Sequence, residues 1–381
     1  MYRWKAYNQY DLIENLKRRG HDVDEIRGEL QTFEKDEIFE QTFRKKLNEK
    51  NYDIVFTVNY FPVISDICQE KCIRYLSWCC DSPISTMYND SVFNQVNTIL
   101  TFDKIDQMTF AQMGAPVEYL PLCADVERVD TIVHSKKDMG SDADISFIGS
   151  MYNKNSYDEV YEHMTDYMKG YFDCALKIQA NTYERYLLDD VLDGDMLVEL
   201  SKYFKLQKSS RSFSDLSLIF STTVLSYKIA QLERKKLLAG LSKKYDVHIY
   251  TDDEKVKFLN GINHGTADYW SEAPVIFNRS RVNLNLTLKS IRSGIPLRVW
   301  DIMAAGGFCM TNYQGELPLY FKDGEDIVWF KSEEELYDKM AFYLSNESKR
   351  AEIARAGYEK VKKYHTYMHR FDSISQIIPK I

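Results

Sequence analysis

Three short stretches of the chain bring together residue types that can do chemistry. In "PLRVWDIMAAGGF" (296–308), Arg298 and Asp301 stand three residues apart in an apolar, helix-compatible run that ends at Gly306-Gly307. That spacing puts both on one helix face, where a plain surface pair is worth only about 0.2–0.5 kcal/mol. A carboxylate can also accept from two hydroxyls at once, and a guanidinium fork matches a phosphate. In "SWCCDSP" (77–83), Asp81 follows an apolar strand pattern. A carboxylate there can take a proton from a hydroxyl as general base. Asp-Ser-Pro serves equally well as a turn or a helix cap. In "FIGSMYNKN" (147–155), a strand pattern runs into Gly149-Ser150, where glycine lets backbone approach a ligand and serine can donate to it. Asn285 and Thr287, at the end of "RVNLNLT" (281–287), alternate onto one strand face. Asp11, after the first strand pattern, is a weaker candidate base and a fair helix N-cap.

Metal chemistry is not expected. The pairs Asp22/Asp24 and Asp142/Asp144 precede their strand patterns, and Asp193/Asp195 lies in a helical tract, so none follows a strand as a metal-dependent transferase would require. His365 and His369 lack the glutamate of a zinc-protease helix. The seven cysteines show no framework, and Cys68 with Cys72 has no histidine nearby in sequence, so reduced thiols are expected.

The elements that must position these residues fall into two series. The first comprises strand patterns at 2–7, 21–26, 52–59, 73–80, 98–103 and 117–122, with an amphipathic helix over 9–20. A polar tract, "VERVDTIVHSKKDMGSDAD" (126–144), reads as a linker. The second comprises strand patterns at 143–153, 246–251, 281–287, 306–312 and 326–330, interrupted by a helical insertion at about residues 155–220. Ser332 and Glu335 form a capping box ahead of a late helix. Near-continuous apolar strands separated by helices predict parallel sheets. The expected fold class is therefore α/β, with two Rossmann-like parallel-sheet domains facing a cleft. The expected domains are 1–135, 136–360 with the insertion, and a C-terminal helix at 361–381 packing back on the first.

Composition excludes some partners. With 44% hydrophobic and 28% charged residues the chain is globular, and no apolar run reaches bilayer length. A net charge of −8, most of it on the first 135 residues, argues against nucleic acid as a partner. The N-terminus lacks a signal-peptide pattern, so a cytoplasmic location is expected.

The order of the second series, and "WDIMAAGGFCMTN" within it, resembles the nucleotide-sugar domain of retaining glycosyltransferases of GT-B fold. With "SIRSGIPLRVWDIMAAGGFCMTNYQGELPLYF", "ISFIGSMYN", "SWCCDSP" and "KVKKYHTYMHR", the chain more closely resembles the bacterial spore-maturation (CgeB-like) glycosyltransferases. The resemblance implies that Asp301, standing where the family has glutamate, grips the ribose hydroxyls, and that Arg298 neutralises the departing diphosphate. Gly149 and Ser150 would meet the diphosphate, with Asn285 and Thr287 beside them. The loop of Arg292, Ser293, Gly294 and Ile295 would open the helix N-terminus toward the phosphates. A second family glutamate falls at Ser293 here, which leaves retention or inversion open.

The expectation is thus a metal-independent transferase without a cofactor. It would move a hexosyl group from a nucleoside diphosphate sugar, most simply a UDP-sugar, to a hydroxyl of a glycan, protein or small molecule, with Asp81 as base. Two alternatives keep the fold: an epimerase acting on the nucleotide sugar, and a non-catalytic module that binds it.

Overall fold

Short apolar runs form parallel strands in both series. The computed structural model describes residues 1–4, 6–136, 143–204 and 209–378. Two units pack internally, Met1–Leu122 with Gln207–Ser214 and Tyr367–Ile381, and Cys123–Leu206 with Asp215–Thr366.

In the first unit the strands are β1 (Tyr2–Arg3), β2 (Ile26–Arg27), β3 (Ile54–Val58), β4 (Arg74–Trp78), β5 (Asn97–Thr101) and β6 (Val117–Tyr119). β3 to β6 form one parallel sheet in chain order, in a register that aligns Val58 with Trp78. β1 pairs with β2 and lies beside β3. Apolar residues such as Ile64, Cys68, Tyr75 and Ile99 close the core. The first two strands are much shorter than the patterns at 2–7 and 21–26. Gln9 explains the first: its side chain takes the Trp4 amide at 3.0 Å and donates to the Tyr2 carbonyl at 2.5 Å, so the backbone leaves the ladder. Lys5, within that pattern, lies outside the described residues. The helix Gln9–Arg18 follows, with Asn8 at its N-cap, so Asp11 is a buried first-turn residue and not the cap. The last helix, Tyr367–Ile377, packs in this unit: Arg370 donates to the Pro121 and Leu122 carbonyls, and Arg19 meets Asp372 at 2.7 Å.

In the second unit the strands are β7 (Ile145–Ile148), β8 (Val247–Tyr250), β9 (Gly261–Asn263), β10 (Val282–Asn285), β11 (Cys309–Asn312) and β12 (Val328–Phe330). They form a parallel sheet in the order β12-β11-β10-β7-β8-β9. Counted from β7 this is the doubly wound order, and the direction of winding reverses between β7 and β10. Open α/β sheets bind ligands outside the strand carboxyl ends at such a switch point. The insertion is helical, as its pattern predicts, with helices Ser156–Tyr161, Asp166–Ala180, Gly194–Leu200 and Leu216–Ile219 around Met168, Phe172, Leu188 and Phe220.

The tract at 126–144 is not all linker. Val126–Ser135 is a helix, capped by Asp125, which accepts from the Arg128 amide at 3.0 Å. Val126 and Val129, one turn apart, are buried, and a polar composition concealed that narrow apolar stripe. Residues 137–142, including Asp142, lie outside the described residues. No described helix is long and apolar enough to cross a membrane.

Candidate active site

Gly149-Ser150 ends β7 and Asn285 ends β10, so the two strands that flank the switch point deliver the predicted residues. The Gly149 N–H is already donated to the Tyr250 carbonyl at 3.0 Å, which removes it as a phosphate donor. A side chain at Gly149 would lie 3.2 Å from the Phe147 ring and 3.8 Å from the Arg234 guanidinium. Ser150 is exposed, its hydroxyl accepting from the Tyr152 amide at 3.1 Å, and it stays open to a ligand. Asn285 and Thr287 do different work from that expected. Buried, Asn285 donates to Thr287 and Thr311 at 2.9 Å each, and the Thr287 amide meets Asn312 at 2.7 Å. They clip the ends of β10 and β11 together and thereby set the loop that follows.

That loop leads into the helix Leu297–Ala304. Pro296 stands at its N-cap and no side chain caps it. The helix ends in a left-handed turn at Gly306 (φ 69°), whose amide reaches Met303 while that of Gly307 reaches Ile302, each at 3.0 Å. A Cβ on Gly307 would come within 2.5 Å of the Phe277 carbonyl. The double glycine is therefore the tight stop that brings β11 against the helix.

Arg298 and Asp301 share a helix face without pairing. Asp301 is buried and accepts from the Tyr269 hydroxyl at 3.0 Å. Arg298 is half-buried with its guanidinium 5.5 Å over the Phe277 ring. Within the loop, Arg292 turns to the insertion, where Asp189 holds it at 2.5 Å beside the Tyr186 ring. Ser293 donates to Glu316 at 2.7 Å, and the Glu316 amide returns to the Ser293 carbonyl at 3.0 Å. Gly294 and Ile295 are buried, and the Ile295 carbonyl accepts from the Trp300 indole at 3.3 Å.

Three residues here escaped the sequence reading. Glu316 is buried and brings a carboxylate to Ser293, the position eight residues before Asp301. Its only signal is the turn composition of "QGELP". Tyr269 holds Asp301 from a loop with no pattern. Arg234, in the charged string "LERKK", is buried and donates to the Ser150 carbonyl and, at 2.6 Å, to that of Leu286. Its guanidinium lies over Phe147 and Tyr152. Burial lowers its pKa, and the nearby charge of Arg298 acts in the same direction. The two like charges are thus near enough to feel one another, and a bound anion would offset that repulsion.

In the first unit, Asp81 follows β4 and Asn59 follows β3. Asp81 is exposed at its tip and accepts from the Asn59 amide at 2.7 Å. The crowding of protein around it pushes its carboxyl above the usual range, and the Asn59 hydrogen bond opposes that push. Asn59 is itself fixed in a left-handed conformation (φ 64°) by the Cys80 amide at 2.8 Å. Asp81 caps no helix, since the 3₁₀ turn Ser85–Met87 starts from Ile84. Asp11 is buried in its helix. Among the described residues no group of three or more His, Cys, Asp or Glu could hold a metal ion.

Residues 232–376 match a family profile described as Glycosyl transferase-like. The Anabaena protein HepE, solved with UDP and glucose, aligns over 97% of this chain and 89% of its own at 9% identity, with a TM-score of 0.55. Sucrose-phosphate synthase from Thermosynechococcus elongatus aligns over 90% of this chain and 77% of its own at 8% identity (TM-score 0.52). The chain has a GT-B glycosyltransferase fold. A glycosyltransferase from Rickettsia africae shares this GT-B fold at 9% identity, covering 96% of this chain and 86% of its own (TM-score 0.53). No curated protein matches the chain. In this GT-B chain the profile spans β8 to β12 and the helix bearing Arg298 and Asp301.

Proposed function

We propose that the protein is a glycosyltransferase that moves a hexosyl group from a UDP-sugar to an acceptor hydroxyl, without a metal or cofactor. The observation that supports this reading is that Arg234 donates to the Ser150 carbonyl just after β7, on one side of the sheet switch point, while Arg298 and Asp301 stand on the helix reached from β10, on the other. Two cations suit a diphosphate, and a fixed carboxylate suits ribose hydroxyls. As the sugar leaves, negative charge grows on the diphosphate, and preorganised guanidinium groups stabilise that charge more than the ground state. Asp81 takes the proton of the attacking hydroxyl, a role that its raised pKa suits at neutral pH. HepE, solved with UDP-glucose and with UDP, supports the choice of uridine. The motifs that resemble CgeB-like enzymes support the finer family reading, and seven free cysteines suit a reducing compartment such as the cytoplasm.

Calorimetry with UDP, uridine and ADP tests the donor assignment. UDP is expected to bind well, uridine weakly because it lacks the diphosphate, and ADP less tightly than UDP. Equal affinity for UDP and uridine would remove the arginines from the site. Release of UDP on addition of an acceptor from a UDP-hexose panel tests transfer itself.

A further inference from the structure

Apart from the residues assigned to the donor, the second unit holds a groove of about 600 Å³. Small-molecule sites run from about 300 to 1,000 Å³. Its walls are the insertion helices Ser156–Tyr161 and Asp166–Ala180, the helix Ser226–Leu241 and the first turn of Glu333–Ser345. A π-helical turn, Phe220–Leu225, runs directly into the Ser226 helix. Such turns are rare and concentrate at functional sites.

The groove combines aromatic faces with matched charges. Tyr161 and Tyr183 are half-buried in it. Lys228 meets Asp158 at 2.6 Å, Lys236 pairs with Glu333, and the Tyr161 hydroxyl donates to Asp173 at 3.1 Å. Charges already matched in this way place no demand for an ion. They do offer hydroxyl groups both donors and acceptors, while the tyrosine rings offer a face to C–H groups. The wall is also incompletely satisfied. The buried Tyr157 hydroxyl has no hydrogen-bond partner. Glu233 Oε1 and Lys289 Nζ lie 3.2 Å apart as a buried ion pair. Buried polar groups are normally satisfied, so the Tyr157 hydroxyl is an exception in this wall.

We propose that this groove binds a pyranose unit, a neutral sugar ring, at a site separate from that of the nucleotide sugar. The proposal does not depend on the transfer reaction. It does connect to the loop after β10, because Lys289 of that loop pairs with Glu233 and lies 3.3 Å over the Tyr183 ring. A sugar that engages Glu233 is therefore felt by the loop that leads to Ser293 and Arg298.

The test is saturation-transfer NMR and calorimetry on the full chain, with glucose, galactose, N-acetylglucosamine, maltotriose and inorganic phosphate as probes and UDP present. At least one sugar is expected to bind saturably and phosphate is not. Affinity should fall at least about tenfold in Tyr161→Ala, which loses the ring, and in Ala180→Trp, which fills the groove. Tyr161→Phe, a milder change, should fall less, and it serves if either of the others fails to fold. Measured without UDP, so that coupling through the loop does not enter, Asp301→Ala should leave sugar affinity unchanged, which separates this site from the donor site even if UDP does not bind. Tighter binding of maltotriose than of glucose would identify the ligand as a unit of a glycan chain, and equal binding would identify a free sugar. Absence of saturable binding by every sugar, indifference to all groove variants, competition by phosphate, or loss in Asp301→Ala would each overturn the proposal.

Discussion

Asp301 in the second unit and Asp81 in the first are both carboxylates beside a parallel sheet, and their surroundings differ in every respect. Asp301 sits inside a helix, buried, with the Tyr269 hydroxyl on one oxygen. Asp81 sits on a loop, exposed at its tip, held by an amide and pushed up by the protein around it. A carboxylate fixed in one orientation is made for recognition. One that water can reach and whose charge is disfavoured is made for proton transfer. Position along a strand does not separate the two roles, whereas burial and hydrogen-bond partner do.

The largest effect is expected at Asp81. Asp81→Asn should reduce transfer by roughly 10²–10⁴-fold while leaving UDP affinity unchanged, measured by product assay and calorimetry. Full activity in this variant would erase the contrast and leave Asp81 a loop residue. Next comes Arg298, where Arg298→Ala should cost about 10²–10³ in turnover and Arg298→Lys less, because lysine keeps the charge and loses the fork. Near-normal turnover in both variants would confine Arg298 to packing on Phe277. Asp301→Ala should weaken UDP and UDP-sugar alike by about 1.5–3 kcal/mol, since ribose is common to both ligands. Tyr269→Phe sharpens this, with an expected loss of about 0.5–1.5 kcal/mol that vanishes when Asp301 is already alanine.

Sequence legibility follows the same division. The parallel strands were readable because burial leaves a near-continuous apolar run, as in "YDIVFTVN", or a strict alternation, as in "RVNLNLT". β9, three partly exposed residues "GIN", carries no such signal. The helix of Arg298 and Asp301 was readable from its apolar face and glycine stop. What those two side chains touch was not, because Tyr269 and Phe277 come from segments 32 and 21 residues away in sequence. Asn285 and Thr287 were placed correctly at the strand end, yet their amide and hydroxyl groups face each other and β11, a choice made by sheet pairing. Glu316 and Arg234 were invisible for a related reason. A buried charge in a charged string, as with Arg234, or in a turn, as with Glu316, looks like any solvated one until the fold encloses it.

The smallest expected effect isolates the hydrogen bond that holds Asp81. The Asn59 amide donates to the carboxylate, which favours its charged form and draws its pKa down against the desolvating push of the protein around it. Asn59→Gly keeps the left-handed backbone, which glycine adopts freely, and removes that donor. The Asp81 pKa should then rise further. A general base works only when deprotonated, so the transfer rate falls as pH drops through its pKa. The wild type should therefore show an acid limb above the ordinary carboxylate range, and Asn59→Gly should move that limb to higher pH. One hydrogen bond is worth about 0.5–1.5 kcal/mol net, so the move should be up to about one pH unit. The rate at the alkaline plateau should change little, because the base is ionised there in both proteins. The Asn59 side chain also accepts from the Cys80 amide, so a thermal-stability measurement must accompany the profile. A limb that shifts to lower pH would contradict the sign of the argument, and one that stays in place would assign the proton transfer to another group.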